Sequence, residues 1–339
     1  MTAHRSSNEF DLIARYFAPL AAGEPGALGL TDDAAILSIE SDRRVVVTTD
    51  TLVSGVHFLP SDPPGTVAAK LLAVNLSDLA AMGARPLAYT VSIALPATWT
   101  GDVLHCWLEA FAGGLAAMQA EMAVNLIGGD TVATPGPITL TATALGTIGV
   151  GAELRRSGAR PGDRIYVSGT IGDAALGLKA LSGGLPDLTD EQRGMLIERY
   201  RTPKPRLTLG RKLVGVAHAA ADVSDGLIAD LGHICTASLL SATLQAARTP
   251  LSAGAQAATS AHPDLLISML TGGDDYELVF TASPESAKAI EAISRDLGLP
   301  LTDIGRMAVS TFGDQHPRVH VLGSDGRQVD LARWGYQHF

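Results

Sequence analysis

The chain has 339 residues, nearly half of them apolar, with 25 Lys and Arg against 35 Asp and Glu and a net charge of -10. That length holds two domains with sizeable cores, and an acidic chain without a basic run is a poor partner for nucleic acid. No run of 18 apolar residues predicts a membrane span, the polar stretch Met1 to Glu9 lacks a signal core, and two cysteines exclude a disulfide framework or a Cys-rich zinc site and fit a reducing cytoplasm.

Phe10 to Leu20 has helical spacing, with Asn8 as its expected cap. The glycine-rich stretch Gly23 to Gly29 leads to Asp32-Asp33-Ala34-Ala35, a charged turn or a metal site. Val45-Val46-Val47 reads as a buried strand that runs into Thr48-Thr49-Asp50-Thr51, an all-oxygen set suited to a hard cation. His57 beside Phe58 reads as a packed histidine. Gly65 to Met82 is a predicted helix in which Asp78 stands among apolar residues, a costly place for a carboxylate without a partner or a metal. Gly83 ends that helix. Leu87 to Leu95 is a strand, Asp102 to Met122 a long helix, and Val124 to Ile127 a short strand ending at Gly128-Gly129-Asp130. The two glycines leave room for a phosphate against backbone N–H groups. Ile138 to Val150 is a further strand.

Gly151 to Gly162 reads as a hinge, so the expected domains are 1–151 and 152–339. Arg155 and Arg156 in it can face a triphosphate. Arg164 to Ser168 is a strand and Gly169 to Asp173 a turn into a helix through Leu178. Thr189 and Gln192 predict a capping box for a helix over Asp190 to Tyr200, and Arg206 to Val216 is another helix. Asp222 and Ser224 alternate along an extended segment, and Asp225 is placed to cap the following helix. A second Gly-Gly-Asp occurs at Gly272-Gly273-Asp274, before strands at Val279 to Thr281, around Ile304 and at Val319 to Leu322, and a helix over Pro284 to Leu297. Ser324-Asp325-Gly326 reads as a hairpin turn. The aromatic end, Trp334 to Phe339, reads as a cover for the domain, and Cys106 and Cys235 as buried free thiols.

Asp33, Asp50, Asp78, Asp130, Asp222, Asp225 and Asp274 therefore lie at segment ends or in buried-looking runs, beside Gly, Ser and Thr and without a Cys/His cluster. Such a set suits a phosphate site with several Mg²⁺ ions. The motifs Asp32-Asp33-Ala34-Ala35, Thr49-Asp50-Thr51-Leu52-Val53, His57-Phe58-Leu59-Pro60, Asn75 to Ala84, Ile127-Gly128-Gly129-Asp130, Arg156-Ser157-Gly158-Ala159, Val223 to Leu227 and Gly272 to Leu278 follow one another in order. In them the chain resembles the thiamine-monophosphate kinases of the aminoimidazole ribonucleotide synthetase superfamily, from Glu9 to Tyr336.

The resemblance implies a two-domain fold of mixed class, an α/β N-terminal sheet domain that dimerises and an α+β C-terminal domain that closes over nucleotide and substrate. It implies a homodimer that converts thiamine monophosphate to thiamine diphosphate with ATP. Carried over by motif, Asp33, Thr48, Thr49, Asp50, Asp78, Asp130, Asp222 and Asp225 hold Mg²⁺; Gly129, Asp130, Arg156 and Ser224 bind ATP; His57, Asp274 and Tyr336 bind thiamine phosphate. No protein nucleophile is needed. Position 274 is Asp where relatives often carry Glu, and the segment Met118 to Glu121 lacks tyrosines that some relatives place near adenine. A related ligase that activates an amide oxygen, and a non-catalytic binding protein, are the alternative readings.

Overall fold

The structure, a computed structural model, describes residues 9–310, 318–329, 331 and 334–336. The polar start to Asn8 and the end from Gln337 to Phe339 lie outside the described residues. The chain divides into two compact units, Met1–Leu79 with Arg85–Val150, and Ala80–Ala84 with Gly151–Phe339.

In the first unit, α1 (Glu9–Leu12), a π turn and α2 (Ala18–Ala21) form the N-terminal helical stretch. A four-stranded sheet follows, from β1 (Arg43–Val53), β2 (Arg85–Pro96), β3 (Asn125–Thr134) and β4 (Thr139–Gly149), in the order β1-β4-β2-β3. β4 is antiparallel to β1 and β2, while β2 and β3 are parallel. α3 (Pro64–Ala81) and α4 (Gly101–Met122) supply the helices. α3 is apolar nearly all round, with Leu71, Leu72, Leu76 and Leu79 fully buried, as expected of a helix enclosed on every side. Gln119 of α4 ties three segments together: its carbonyl accepts from the Tyr89 hydroxyl at 2.7 Å and the Leu126 N–H at 3.1 Å, and its amide donates to the Leu20 carbonyl at 3.0 Å.

Two expectations are corrected here. The Val45-Val46-Val47 strand is not buried in this chain: β1 is an edge strand, and Val45 and Val47 are 41% and 60% exposed. Apolar β-branched residues favour a strand whether or not a second layer covers it. Gly128-Gly129-Asp130 lies inside β3 rather than after it, because the strand continues to Thr134. There a Cβ on Gly129 would collide with the Val91 carbonyl oxygen, so glycine is what allows β2 and β3 to close up.

The second unit holds a six-stranded sheet of order β10-β7-β9-β5-β8-β6, from β5 (Arg164–Ser168), β6 (Ala219–Asp222), β7 (Leu240–Gln245), β8 (Leu278–Ala282), β9 (Leu301–Val309) and β10 (Val319–Leu322). Every pair is antiparallel except β7 with β10. α8 (Leu227–Ser238) puts Leu227, Ile228, Leu231 and Ile234 into the core with Ile165, Val167, Leu244 and Val279 of the sheet. A second core joins α5 (Asp173–Leu181), α6 (Asp190–Arg201), α9 (Ala253–Ala261) and α10 (Leu265–Leu270) through Leu176, Leu196, Ala258 and Met269. α7 (Leu207–Leu213) and α11 (Ala287–Leu297) complete the unit. Cys235 is buried, which pushes its thiol up to about 12, but Cys106 is exposed, contrary to expectation. α4 is amphipathic, and its residue 106 falls on the outer side.

Candidate active site

The first unit gathers its carboxylates in two places. On β1, Thr48 and Asp50 share one face and Thr49 and Thr51 the other, because strand side chains alternate. The Thr48 hydroxyl donates to Oδ2 of Asp78 on α3, so the helical carboxylate that looked costly has a partner. Thr49 turns away from this pair: its hydroxyl donates to the Ala142 carbonyl at 3.0 Å and accepts from Thr143 at 3.1 Å. Just beyond β1 the chain folds sharply. Nδ1 of His57 accepts from the Val53 N–H at 3.0 Å, and the buried Lys70 ammonium donates to the His57 carbonyl at 3.0 Å.

The second place is a cavity of about 590 Å³. Its polar lining comes from Asp32, Asp33 and the run Gly128 to Thr131, and its apolar lining includes Phe10, Ile13, Phe17, Leu30 and Leu37. Asp33 and Asp130 are thus brought to one cavity. Asp130 and Asp50 are not brought together: they lie on the two edge strands, three strand spacings or roughly 14 Å apart.

In the second unit, three distant motifs meet. The Asp274 N–H donates to the Ser224 carbonyl at 2.8 Å, the Tyr276 N–H to the Val223 carbonyl at 2.8 Å, and the Tyr336 N–H to the Asp225 carbonyl at 3.0 Å. Ser224, Asp225, Asp274 and Tyr336, drawn from across more than a hundred residues, therefore share one cradle. Asp222 ends β6 and is buried. Asp225 does not cap α8 as expected: Gly226 is the N-cap, with no side-chain cap bond. Instead Oδ2 of Asp230, one turn inside the helix, accepts from the N–H groups of Ser224, Asp225 and Gly226 at 3.0, 3.0 and 3.1 Å. Burial, and then the charge of Asp225, push the Asp230 carboxyl up to about 7 against those bonds. Among the described residues, Asp225, Asp230 and His233 each bring a ligand atom within 4.8 Å of the others. Burial, followed by the positive field of Arg156, holds His233 below its ordinary range, so Arg156 belongs to the same neighbourhood.

Residues 31–148 match the model of the AIR synthase related protein N-terminal domain, and residues 160–312 that of its C-terminal domain. The chain belongs to the AIR synthase related family. Within that family it is 42% identical to the thiamine-monophosphate kinase of Escherichia coli strain K12, over 98% of each chain. The crystal structure of thiamine-monophosphate kinase from Stenotrophomonas maltophilia K279a is 42% identical and superposes with a TM-score of 0.82 over 96% of this chain and 99% of that one. A solved structure of AaThiL complexed with AMPPCP and TMP is 28% identical, with a TM-score of 0.75, over 94% of this chain and 98% of that one.

The structure adds residues to the second-unit cradle. Asp230 and His233 sit three apart on α8, a spacing that puts both on one helix face. Asp275 and Glu277 alternate with Asp274 and Tyr276, which hold left-handed backbone at φ 74° and 49°. Such conformations cost non-glycine residues roughly 1–3 kcal/mol each and persist only where the surroundings enforce them. No local signal in Asp-Asp-Tyr-Glu foretells that strain.

Proposed function

We propose that this chain is a thiamine-monophosphate kinase that transfers the γ-phosphoryl group of ATP directly onto the phosphate of thiamine monophosphate, as a homodimer in the cytoplasm. The observation that carries this reading is the cavity lined by Asp33, Gly129 and Asp130 together with the apolar Phe10, Ile13, Phe17, Leu30 and Leu37. A nucleotide has the same two halves, a charged phosphate chain and a flat apolar base. Relatives named for this activity match over nearly the whole chain, and one was solved with AMPPCP and TMP.

The reaction joins two anions. The substrate phosphate has a second pKa near ~6 and is mostly dianionic at neutral pH, and each pair of unit charges at ~4 Å costs about 4 kcal/mol at an effective dielectric of ~20. The donor set suits magnesium: carboxylates and hydroxyls only, at Asp33, Thr48, Thr49, Asp50, Asp78, Asp130, Asp222 and Asp225. Mg²⁺ held there would neutralise the phosphates and align the in-line displacement. Arg156 and the backbone at Gly129 and Ser224 bind ATP; Asp274, Tyr336 and His57 bind thiamine phosphate.

His57 acts as a donor in this scheme. Its Nδ1 accepts from the Val53 N–H, so the neutral ring carries its proton on Nε2. A ring in that tautomer can hold a phosphate oxygen but has no basic nitrogen to offer it. The substrate phosphate is the nucleophile and needs no base.

The test is incubation with ATP, Mg²⁺ and thiamine monophosphate, with products resolved by chromatography. Thiamine diphosphate and ADP in equal amounts are expected. ADP with free phosphate and no thiamine diphosphate, or binding without turnover, overturns the reading.

A further inference from the structure

Asp274 is held by more machinery than a surface carboxylate needs. The residues that alternate with it point inward. Asp275 accepts from the N–H groups of Gly172 at 2.6 Å and Ala174 at 3.3 Å. Glu277, wholly buried, accepts from Arg199 at 2.8 Å, from Nε and Nη2 of Arg206, the former at 2.6 Å, and from the Ser168 hydroxyl at 2.6 Å. Ser168 in turn accepts from the Leu278 N–H at 2.9 Å, and Arg199 reaches the Asp275 carbonyl at 3.3 Å. Gly169 stands where a Cβ would overlap the Glu277 carboxylate. The left-handed residues Asp274 and Tyr276 are thereby fixed from behind. In front, the Tyr276 hydroxyl donates to Oδ1 of Asp274 at 3.3 Å.

A buried ion pair adds little net stability over apolar packing. What a planar guanidinium fork adds is geometry, since it tolerates only one arrangement of the carboxylate it grips. One such fork from Arg206, with Arg199 bridging the same glutamate to the Asp275 carbonyl, sits directly behind a strained turn and is suited to fixing where that turn's side chains point.

We propose that Tyr276 and Glu277, the latter through Arg199 and Arg206, are positioning residues that set the reach of Asp274 toward thiamine phosphate. This rests on the reading of Asp274 as a substrate contact. Tyr276 orients the carboxylate, and the Arg199–Glu277–Arg206 cluster holds the backbone that carries it. Neither touches substrate.

The test uses the full chain carrying Tyr276→Phe or Arg206→Lys, each alone and combined with Asp274→Ala, with KM for thiamine monophosphate and for ATP and a thermal melt for each. Both single variants are expected to raise the KM for thiamine monophosphate by about 5- to 20-fold, the scale of a weakened hydrogen bond to a charged group, and to move the KM for ATP by no more than about twofold. In the Asp274→Ala background they should add nothing, because residues acting through one group are not additive. An unchanged KM for thiamine monophosphate, an equal rise in both KM values, or additive effects with Asp274→Ala overturns the positioning role. If Asp274→Ala alone leaves the KM for thiamine monophosphate unchanged, the substrate contact itself is wrong and the positioning role goes with it. Should Arg206→Lys fail to fold, Arg199→Lys tests the cluster by the same readouts, and Tyr276→Phe, which removes a single hydroxyl, tests the other arm.

Discussion

Asp78 shows why single residues in this chain repay close reading. A carboxylate in an apolar helix costs several kcal/mol without a partner, and here the Thr48 hydroxyl meets it. Asp50 lies on the same strand face as Thr48, whereas Asp130 borders the cavity with Asp33 some strands away. If these groups hold separate ions, Asp50→Asn and Asp130→Asn each remove a ligand that the other cannot replace. Both variants should stay folded and lose most turnover, chelation should abolish turnover in the unaltered chain, and Mg²⁺ should restore it. Full activity of either variant at limiting Mg²⁺ would falsify the assignment. His57 allows a sharper test, because its Val53 contact makes it a donor. His57→Asn is expected to raise the KM for thiamine monophosphate about tenfold, as for a lost charge-assisted hydrogen bond, and to keep the acid limb of kcat/KM, which follows substrate ionisation near pH ~6. Loss of that limb with a ~10²–10⁴-fold fall in kcat would make His57 a general base and refute direct transfer.

At the scale of elements, β3 carries the contribution of the first glycine pair, Gly128 and Gly129, in its backbone. A Cβ at Gly129 would strike the Val91 carbonyl, while one at Gly128 would sit 3.7 Å from Thr90 Cγ2, an ordinary contact. Gly129→Ala must therefore prise β2 from β3, at a cost of about 1–3 kcal/mol, and shift the cavity wall; Gly128→Ala should not. Thermal melts and the KM for ATP compare the two, and equal behaviour would mean that close strand approach is not what position 129 provides. Elements with strong local signals were legible in the chain: the Thr189–Gln192 capping box forms with both its hydrogen bonds, at 3.0 and 3.2 Å, β5 and β10 keep their expected limits, and Gly83 takes its left-handed conformation at φ 73° after α3. β7 does carry a strand's alternation, with Leu240, Ala242 and Leu244 in the core, but over six residues only, and the alanine-rich run after Ser252 has little hydrophobic period; tertiary packing against α8 and α5 decides β7, α9 and α10. The candidate site was legible as a set of oxygen ligands but not as an arrangement. That Thr49 turns away and that Glu277 is gripped beneath Asp274 depend on contacts between segments far apart in sequence, whereas Asp230 secures the Ser224 turn from only six residues away, where Asp225 was the nearer cap residue.

At the scale of the whole molecule, one face of the first sheet bears on assembly. β1 is an eleven-residue edge strand with Val45, Val47, Thr49 and Thr51 turned to one side, and Val45 and Val47 are among the exposed large apolar residues. A long β-branched edge is a template for unwanted pairing unless it is charged, bulged or covered. Among the strand's eleven residues the basic side chains, Arg43 and Arg44, stand only at its start, and its pairing with β4 runs from Arg43 to Val53 without a bulge. The one charge within Val45 to Thr51, Asp50, lies on the face opposite Val45 and Val47, which leaves covering for the valine face, and a second copy of the same sheet is the cover consistent with the proposed homodimer. Thr51 lies in one cross-strand row with Thr141, Ser92 and Asp130, so a partner seated on this face would also border the Asp130 side of the sheet. Burying a charge opposite an apolar face without a counter-ion is costly. Val47→Glu is therefore expected to shift a dimer to monomer in sedimentation velocity at micromolar protein, with turnover falling in step as the dimer dissociates. An unaltered chain that sediments as a monomer would remove the dimer, and a Val47→Glu dimer as tight as the original would move its interface to another face.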